Sequence, residues 1–389
     1  MIDRSAAFTL LKLSQHYPVV VITGPRQAGK STLAKALFPD KPYVSLEDLD
    51  EREFAQMDPR GFLKRFSEGA VIDEVQRCPD LLSYIQTRVD EGKKNGLFIL
   101  TGSAQLTLLS AVSQSLAGRA AMLTLLPLSI SELESAGSLP DRLEDLLFQG
   151  AYPSIYDRAP PPMDWYSDYI QTYAERDVRQ ILKVQDLGTF QRFLKLCAGR
   201  SGQILNLTSL GNDAGVSHAT AGHWINLLEA TFLVFRLQPY FKNFSKRLIK
   251  SPKLYFYDSG LLCSLLGIQT PEQLQSHSMR GAIFEGWVIT EFMKRKLNRH
   301  QTPNLYFWRD HKGLEVDLVA DLGGRALAVE IKSGATIATD WLDSLRAWTT
   351  LAGVEAERPC LIYGGEDRQP RTQADILPWR GISGALDRI

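Results

Sequence analysis

Residues 24–32 read GPRQAGKST, and this stretch decides the fold of the first third of the chain. It satisfies G-x-x-x-x-G-K-[ST] and lies between an apolar run, Pro18 to Thr23, and the helical segment LAKALF. Strand, glycine loop and helix therefore occur in the order that sets successive backbone N–H groups, and the positive end of a helix dipole, against phosphates. Gly24 and Gly29 permit close backbone approach, and Pro25, Arg26, Gln27 and Ala28 complete the loop. Lys30 is expected to reach the β- and γ-phosphates, the Ser31 hydroxyl to ligate Mg²⁺, and Thr32 to line the phosphate pocket. The Arg26 side chain is expected to face solvent or to pair with an acid.

Two further strands extend this pattern. Residues 70–74, AVIDE, are an apolar strand ending in two carboxylates. Asp73 would hold Mg²⁺ through water, and Glu74 would orient or deprotonate the water that attacks the γ-phosphate. LFILTGS at 97–103 ends in Thr101 and Ser103, which either sense the γ-phosphate or cap the strand. Strand and helix alternate from Pro18 to about Leu126, which predicts an α/β domain with a mostly parallel, doubly wound sheet of the P-loop NTPase kind.

Composition sets the outer limits. A length of 389 residues suggests two or three domains, and 44% hydrophobic with 23% charged residues excludes a disordered or fibrous chain. Lys+Arg and Asp+Glu both total 44, so the whole-chain charge gives no sign of nucleic-acid binding. The start, MIDRSAAF, lacks a basic-then-apolar order, and no apolar run approaches the ~18 residues that span a bilayer. The expectation is a soluble cytoplasmic protein without a membrane partner. Cys78, Cys197, Cys263 and Cys360 show no paired spacing and are expected to be reduced and mostly buried.

The combination GPRQAGKST, VIDEVQRCP, LTGSAQ, LAGR at 116–119, PLSISEL at 127–133 and QTYAERDV at 171–178 resembles a bacterial and archaeal AAA-type ATPase family. Members of that family carry a C-terminal domain of unknown function related to PD-(D/E)xK nucleases. The resemblance implies ATP rather than GTP, since nothing like the guanine-reading N-K-x-D follows the loop, and it implies assembly into a homo-oligomer. An arginine finger would then come from Arg119, Arg176 or Arg179, each of which also suits a salt bridge on a helix.

The middle of the chain has weaker signals. A proline-rich loop within 140–165, APPPMDW, marks a boundary, and amphipathic helices are expected over Trp165–Leu182 and Thr189–Ala198. Residues 203–237 then read as a winged helix-turn-helix: helix Leu207–Ala214, turn Gly215-Val216-Ser217 with Ser217 as N-cap, helix His218–Ala230, and a strand. His218, Thr220 and His223 would face a DNA groove, but this helix contains no Lys or Arg to neutralise phosphates, so packing or protein contact stays open beside DNA reading. Residues 236–300 hold 11 Lys/Arg and 4 Asp/Glu, a local balance of +7. Their centre, YFKNFSKRLIKSPK at 240–253, interleaves aromatics and cations as a nucleic-acid surface does.

Near the C-terminus, 281–295 reads as a helix carrying Glu285, and 306–333 as consecutive strands around DLGGR. With Gly323-Gly324 as a two-residue loop, paired positions sum to 647, placing Asp317 opposite Glu330 and Glu315 opposite Lys332 on one sheet face. Carboxylates this close persist only with a shared cation or proton, and Mg²⁺ or Mn²⁺ held by Glu285, Asp317 and Glu330 would suit, with Lys332 activating water. Asp317, Glu330-x-Lys332 and the helical Glu285 resemble the PD-(D/E)xK pattern, although Val316 stands where its proline would be.

The expected organisation is a P-loop AAA-type ATPase domain at 1–135, a helical lid or linker at 136–200, a winged helix-turn-helix-like segment at 201–260 and a small α/β nuclease-like domain at 261–389. The function expected is Mg²⁺-dependent ATP hydrolysis by Lys30, Asp73 and Glu74, coupled to a nuclease-like domain that acts on DNA through Asp317, Glu330 and Lys332. The alternative is a nucleotide-operated switch whose C-terminal half binds protein or DNA without cutting.

Overall fold

The computed structural model describes residues 2–92, 94–102, 112, 115–173, 187–240, 251–310 and 313–389. The chain forms two compact units. One comprises Met1–Ala136, Ala230–Phe232 and Lys296–Thr302, the other Gly137–Glu229, Leu233–Arg295 and Pro303–Ile389. Among the described residues no helix is long and apolar enough to cross a membrane.

In the first unit β1 (Val19–Thr23), β2 (Tyr43–Ser45), β3 (Ala70–Asp73), β4 (Phe98–Thr101) and β5 (Ala120–Thr124) form one sheet in the order β2-β3-β4-β1-β5. All four pairings are parallel. Parallel sheets are buried on both faces, and β1 shows how one strand serves both. Val19 and Val21 enter a core with Phe62, Leu81 and Ile85, whereas Val20 and Ile22 enter another with Ala6, Leu10 and Leu33. The apolar run before the glycine loop is therefore a central strand. Helix α1 (Ala7–His16) supplies Leu10 to the second core, and α2 (Lys30–Leu37) leaves the loop directly. α3 (Leu49–Met57), α4 (Pro59–Lys64) and α5 (Leu81–Gly92) lie between β2 and β4 in the chain, and α6 (Ile130–Ser135), closed by a Ser129–Glu132 capping box, follows β5.

The second unit begins with α7 (Leu143–Gln149), α8 (Pro153–Arg158) and α9 (Pro162–Tyr173). The proline-rich stretch is thus not one loop: Pro153 and Pro162 open helices, as proline's fixed φ and missing N–H allow at a first helical position. α10 (Leu187–Ala198) and α11 (Leu207–Ala214) follow, then α12 (His218–Ala230), which starts with the Thr220 N–H donating to the Ser217 hydroxyl at 3.1 Å. His218 and His223 are exposed and Thr220 is half-buried.

The strand after α12, β6 (Val234–Pro239), pairs antiparallel with β7 (Lys253–Phe256) and parallel with β8 (Leu305–Arg309). With β9 (Glu315–Asp321), β10 (Ala326–Lys332), β11 (Cys360–Tyr363), β12 (Gln369–Pro370) and β13 (Asp375–Pro378) they make an eight-stranded sheet, β12-β13-β11-β10-β9-β8-β6-β7. The strands read as the end of a winged helix therefore share a sheet with the C-terminal strands. Helices α13 (Ser259–Leu265), α14 (Pro271–Ser276) and α15 (Arg280–Asn298) connect β7 to β8, while α16 (Asp343–Ala352) lies between β10 and β11 and α17 (Ser383–Leu386) ends the chain. Trp348 of α16 packs into a core with Trp308, Val316 and Leu361.

Asp258 ties this unit's helices together. Buried at the N-cap of α13, it accepts from the Leu261 N–H at 2.8 Å, the Ala151 N–H at 2.7 Å and the Tyr166 hydroxyl at 2.7 Å. Burial raises its carboxyl above the usual range, against the pull of those donors. All four cysteines are free and buried.

Gly69 sits where β3 meets β4. Its φ is +92°, and an added Cβ would overlap the Leu97 carbonyl oxygen, which accepts from the Ala70 N–H at 3.1 Å. Gly69→Ala is expected to cost about 2 kcal/mol or more, from left-handed strain plus that overlap. Gly118→Ala, also at positive φ but with open space around it, should cost about 1 kcal/mol. Amide exchange across β3 and β4 measures both, and equal protection in the two variants would refute the close approach.

Candidate functional site

At the C-terminal edge of the first sheet the loop 24–29 joins β1 to α2. Gly24 (φ +140°) lies against the Leu125 carbonyl, and Gln27 (φ +64°) and Gly29 (φ +89°) take left-handed backbone. Turns of this kind bend successive N–H groups toward one concave side. The buried Lys30 donates to the carbonyls of Gly24 at 3.0 Å and Pro25 at 2.7 Å, so its ammonium lies over the loop. Arg26 is half-buried.

Asp73, at the end of β3, is held by three hydroxyls. Ser31 donates to it at 2.8 Å and Tyr43 at 2.7 Å, and Thr101 of β4 donates as well. The parallel register brings them together, since Ser45 of Tyr43's strand pairs with Asp73 itself. Burial, with the Asp73 carboxylate beside it, pushes the Tyr43 phenol upward, and the Lys35 ammonium covers its ring at 3.4 Å. The next residue, Glu74, has φ +55°, rare for a residue with a side chain, and its carboxylate accepts from the Gln76 amide. Tyr43 is a residue that the sequence reading missed; a tyrosine opening a three-residue strand carries no motif.

Of the arginine candidates, Arg119 makes a two-pronged pair with Asp90 at 2.6 and 2.9 Å. Arg176, Arg179, Ser103 and most of the basic run 240–253 lie outside the described residues.

The second unit holds a larger charged cluster. The hairpin register follows the sum of 647: Asp321 pairs with Ala326, and so on to Leu318 with Val329. Asp317 and Glu330 come next, but there the Ile331 N–H donates to the Asp317 carboxylate at 2.8 Å. Both acids are buried. Lys332 pairs with Glu330 and stands 3.9 Å from Asp317, while Ser344 of α16 donates to the other Glu330 oxygen at 2.6 Å. Glu315 is not paired with Lys332. It meets Lys253 of β7 and, at 3.4 Å, Arg309 of β8, because Glu315 faces Arg309 in the β8–β9 ladder. Lys253 also lies 3.1 Å from Glu285 of α15, which accepts from the Tyr255 hydroxyl too.

One oxygen each from Glu285, Glu315 and Asp317 lie within 4.8 Å of one another, so among the described residues the carboxylates gathered as a metal would require are these three. Glu330 stands outside that group with both oxygens engaged. Burial pushes the Asp317 carboxyl well above the usual range, and the Glu330 and Glu285 charges add to this. Burial raises Glu330 as well, against the pull of Lys332. Burial alone would lower Lys332, but Asp317 and Glu330 outweigh it and hold the ammonium charged.

Three family profiles match the chain in succession. They are an AAA domain over residues 16–134, a domain of unknown function (DUF8612) over 140–272 and a domain of unknown function (DUF4143) over 280–382. The first unit therefore carries an AAA-type, ATP-binding ATPase domain. The uncharacterized proteins Mb2031c of Mycobacterium bovis and Rv2008c of Mycobacterium tuberculosis are each 33% identical over 392 residues, covering 99% of this chain and 86% of theirs. Among solved structures, the Walker-type ATPase PABY2304 of Pyrococcus abyssi is 14% identical, with a TM-score of 0.47 over 68% of this chain and 96% of that one.

The raised carboxyls set a pH dependence. Between the ordinary carboxylate range and the folded-state value, folded Asp317 holds a proton that the unfolded chain has released, so stability must increase as pH falls through that window. Urea unfolding from neutral pH down toward the ordinary carboxylate range should show this slope, and Asp317→Asn should reduce it to the part that Glu330 and Asp258 supply. All seven tryptophans lie between residues 165 and 379, so their fluorescence reports this unit alone. An unchanged slope in Asp317→Asn would refute the assignment.

Proposed function

This chain belongs to one family with the mycobacterial proteins Mb2031c and Rv2008c, and we propose that it is a nucleotide-operated switch driven by Mg²⁺-dependent ATP hydrolysis. The observation that carries the ATPase reading is the set of hydroxyls from Ser31, Thr101 and Tyr43 around Asp73, beside Lys30 and the glycine loop. Hard oxygen donors of this kind fit Mg²⁺, with Ser31 and Asp73 as its holders, and when bound the ion neutralises charge on the β- and γ-phosphates.

The chain's own groups account for the rest. Backbone N–H groups of residues 24–29 cradle the phosphates, with Thr32 beside them, and Lys30 exchanges two carbonyl acceptors for charged phosphate oxygens, which bind an ammonium more strongly. Glu74 takes a proton from the attacking water as its oxygen bonds to the γ-phosphorus. The bond from that phosphorus to the bridging oxygen breaks, and its electron pair leaves with ADP. The left-handed backbone at Glu74 supports this role, since strain of that kind concentrates where a side chain must be aimed. Assembly into a homo-oligomer would let an arginine of a neighbouring copy reach the γ-phosphate.

For the C-terminal half we favour a module that binds a protein or DNA partner without cutting it. What supports this reading is the cation content of the acidic cluster: Lys332 serves Asp317 and Glu330, and Lys253 serves Glu285 and Glu315. The second reading, a metal-dependent nuclease acting on DNA, has in its favour the adjacency of Asp317, Glu330 and Lys332 on neighbouring strands. Incubation of plasmid and single-stranded DNA with Mg²⁺ or Mn²⁺, with and without ATP, separates the two. Cleavage that Asp317→Ala abolishes would establish the nuclease.

Lys30→Ala should abolish ATP turnover, and unchanged turnover would overturn the assignment. Glu74→Gln should lower kcat by about 10²–10³ while ATP stays bound, as loss of a general base does. Tyr43→Phe should raise the Mg²⁺ needed for half-maximal turnover about tenfold, the usual effect of removing a partner of a metal ligand. An unchanged Mg²⁺ requirement would separate Tyr43 from the site.

A further inference from the structure

Three carboxylates converge in the second unit as they would around a divalent ion, yet the cation among them is a side chain. Lys253 is 4% exposed, and its ammonium bridges Glu285 and Glu315 with its charge 5.5 Å from the centre of the Phe307 ring. Its backbone is fixed from both sides, paired with Leu237 across the β6–β7 hairpin and bridged to Ile204. The neighbouring bonds, Leu205 N–H to Pro252 at 2.8 Å and Leu254 N–H to Gln203 at 3.1 Å, hold the strand at this depth. A lysine so anchored is not a surface cation that swings aside.

Charged side chains from four elements surround the ammonium. Glu285 comes from α15, Glu315 and Asp317 from β9, Arg309 from β8, and Lys332 with Glu330 from β10. Four carboxylates meet three cations. A divalent ion needs oxygens at about 2.1 Å and would take the acceptors that Lys253 now holds, leaving that ammonium buried, unpaired and repelled at short range.

We infer that Lys253 is the resident cation of the Glu285–Glu315–Asp317 cluster, a tethered ammonium in the place of a divalent metal, and that metal binds there only when this charge is removed. The inference rests on the non-cleaving reading of the C-terminal half and is independent of the ATPase reading.

Mn²⁺ binding to the full chain without nucleotide, followed by the EPR signal of free Mn²⁺, tests it. Wild type and Lys253→Arg should bind no Mn²⁺ through this cluster. Lys253→Met should gain one bound ion per chain, at a Mn²⁺ concentration at least about a hundredfold below any at which the wild-type cluster takes one up, the scale on which one unit charge acts a few ångströms away in a partly buried site. Adding Asp317→Asn to Lys253→Met should abolish the gain. Tryptophan-monitored melting is the second readout, since Lys253→Met that unfolds alone should be restored by Mn²⁺. The inference is overturned if wild type binds Mn²⁺ and Asp317→Asn removes it, which would also favour the nuclease. It is equally overturned if Lys253→Met gains no ion, folded or not, a result that leaves the non-cleaving reading standing when DNA stays intact.

Discussion

A carboxylate taken out of water needs hydrogen-bond donors or a cation at contact distance, and this requirement organises both units of the chain. Asp258 meets it with two backbone N–H groups and a tyrosine hydroxyl, and in doing so joins the start of α13 to the turn before α8 and to α9. Glu291 meets it with Lys294 one helical turn away, both nearly without solvent contact. The two candidate sites are further solutions, and they differ in the kind of donor used.

Among the described residues, the side chains that hold Asp73 are neutral hydroxyls. Hydroxyls satisfy its lone pairs without cancelling its charge, so the strand end keeps the negative potential that a divalent ion on a nucleotide requires. The cluster around Asp317 is held by ammonium and guanidinium groups, which satisfy and cancel at once. Two acidic sites of similar appearance in sequence thus reach opposite electrostatic ends, one poised for a cation and the other already supplied.

Much of this was legible in advance. The glycine loop, the acid-terminated strand and the two-residue hairpin are signals within a few residues of chain, and each has one backbone solution: the loop joins β1 to α2, Asp73 ends β3, and Gly323 and Gly324 take positive φ at the turn. The demand for a cation between Asp317 and Glu330 was also readable, because register alone brings the acids together. Lys332, two residues along the same strand from Glu330, answers it, but the cation that serves the neighbouring acids Glu285 and Glu315 was not readable. Lys253 belongs to a basic run that reads as a nucleic-acid surface, yet its side chain is buried beneath β9 residues more than 60 positions away. Tyr43 was invisible for a similar reason, since only the β2–β3 register brings it to Asp73.

By itself, then, the sequence determined the nucleotide loop, the parallel sheet behind it and the hairpin that juxtaposes two acids, all consequences of local backbone geometry and periodicity. Tertiary structure alone decided which side chains neutralise Glu285 and Glu315. The parallel pairing of β6 with β8 brings the β6–β7 hairpin onto the C-terminal sheet and carries Lys253 to Glu285 and Glu315. Charge neutralisation acts through distances in space, which spacing along a chain does not encode, so a lysine standing where a metal was expected emerges only from the folded molecule.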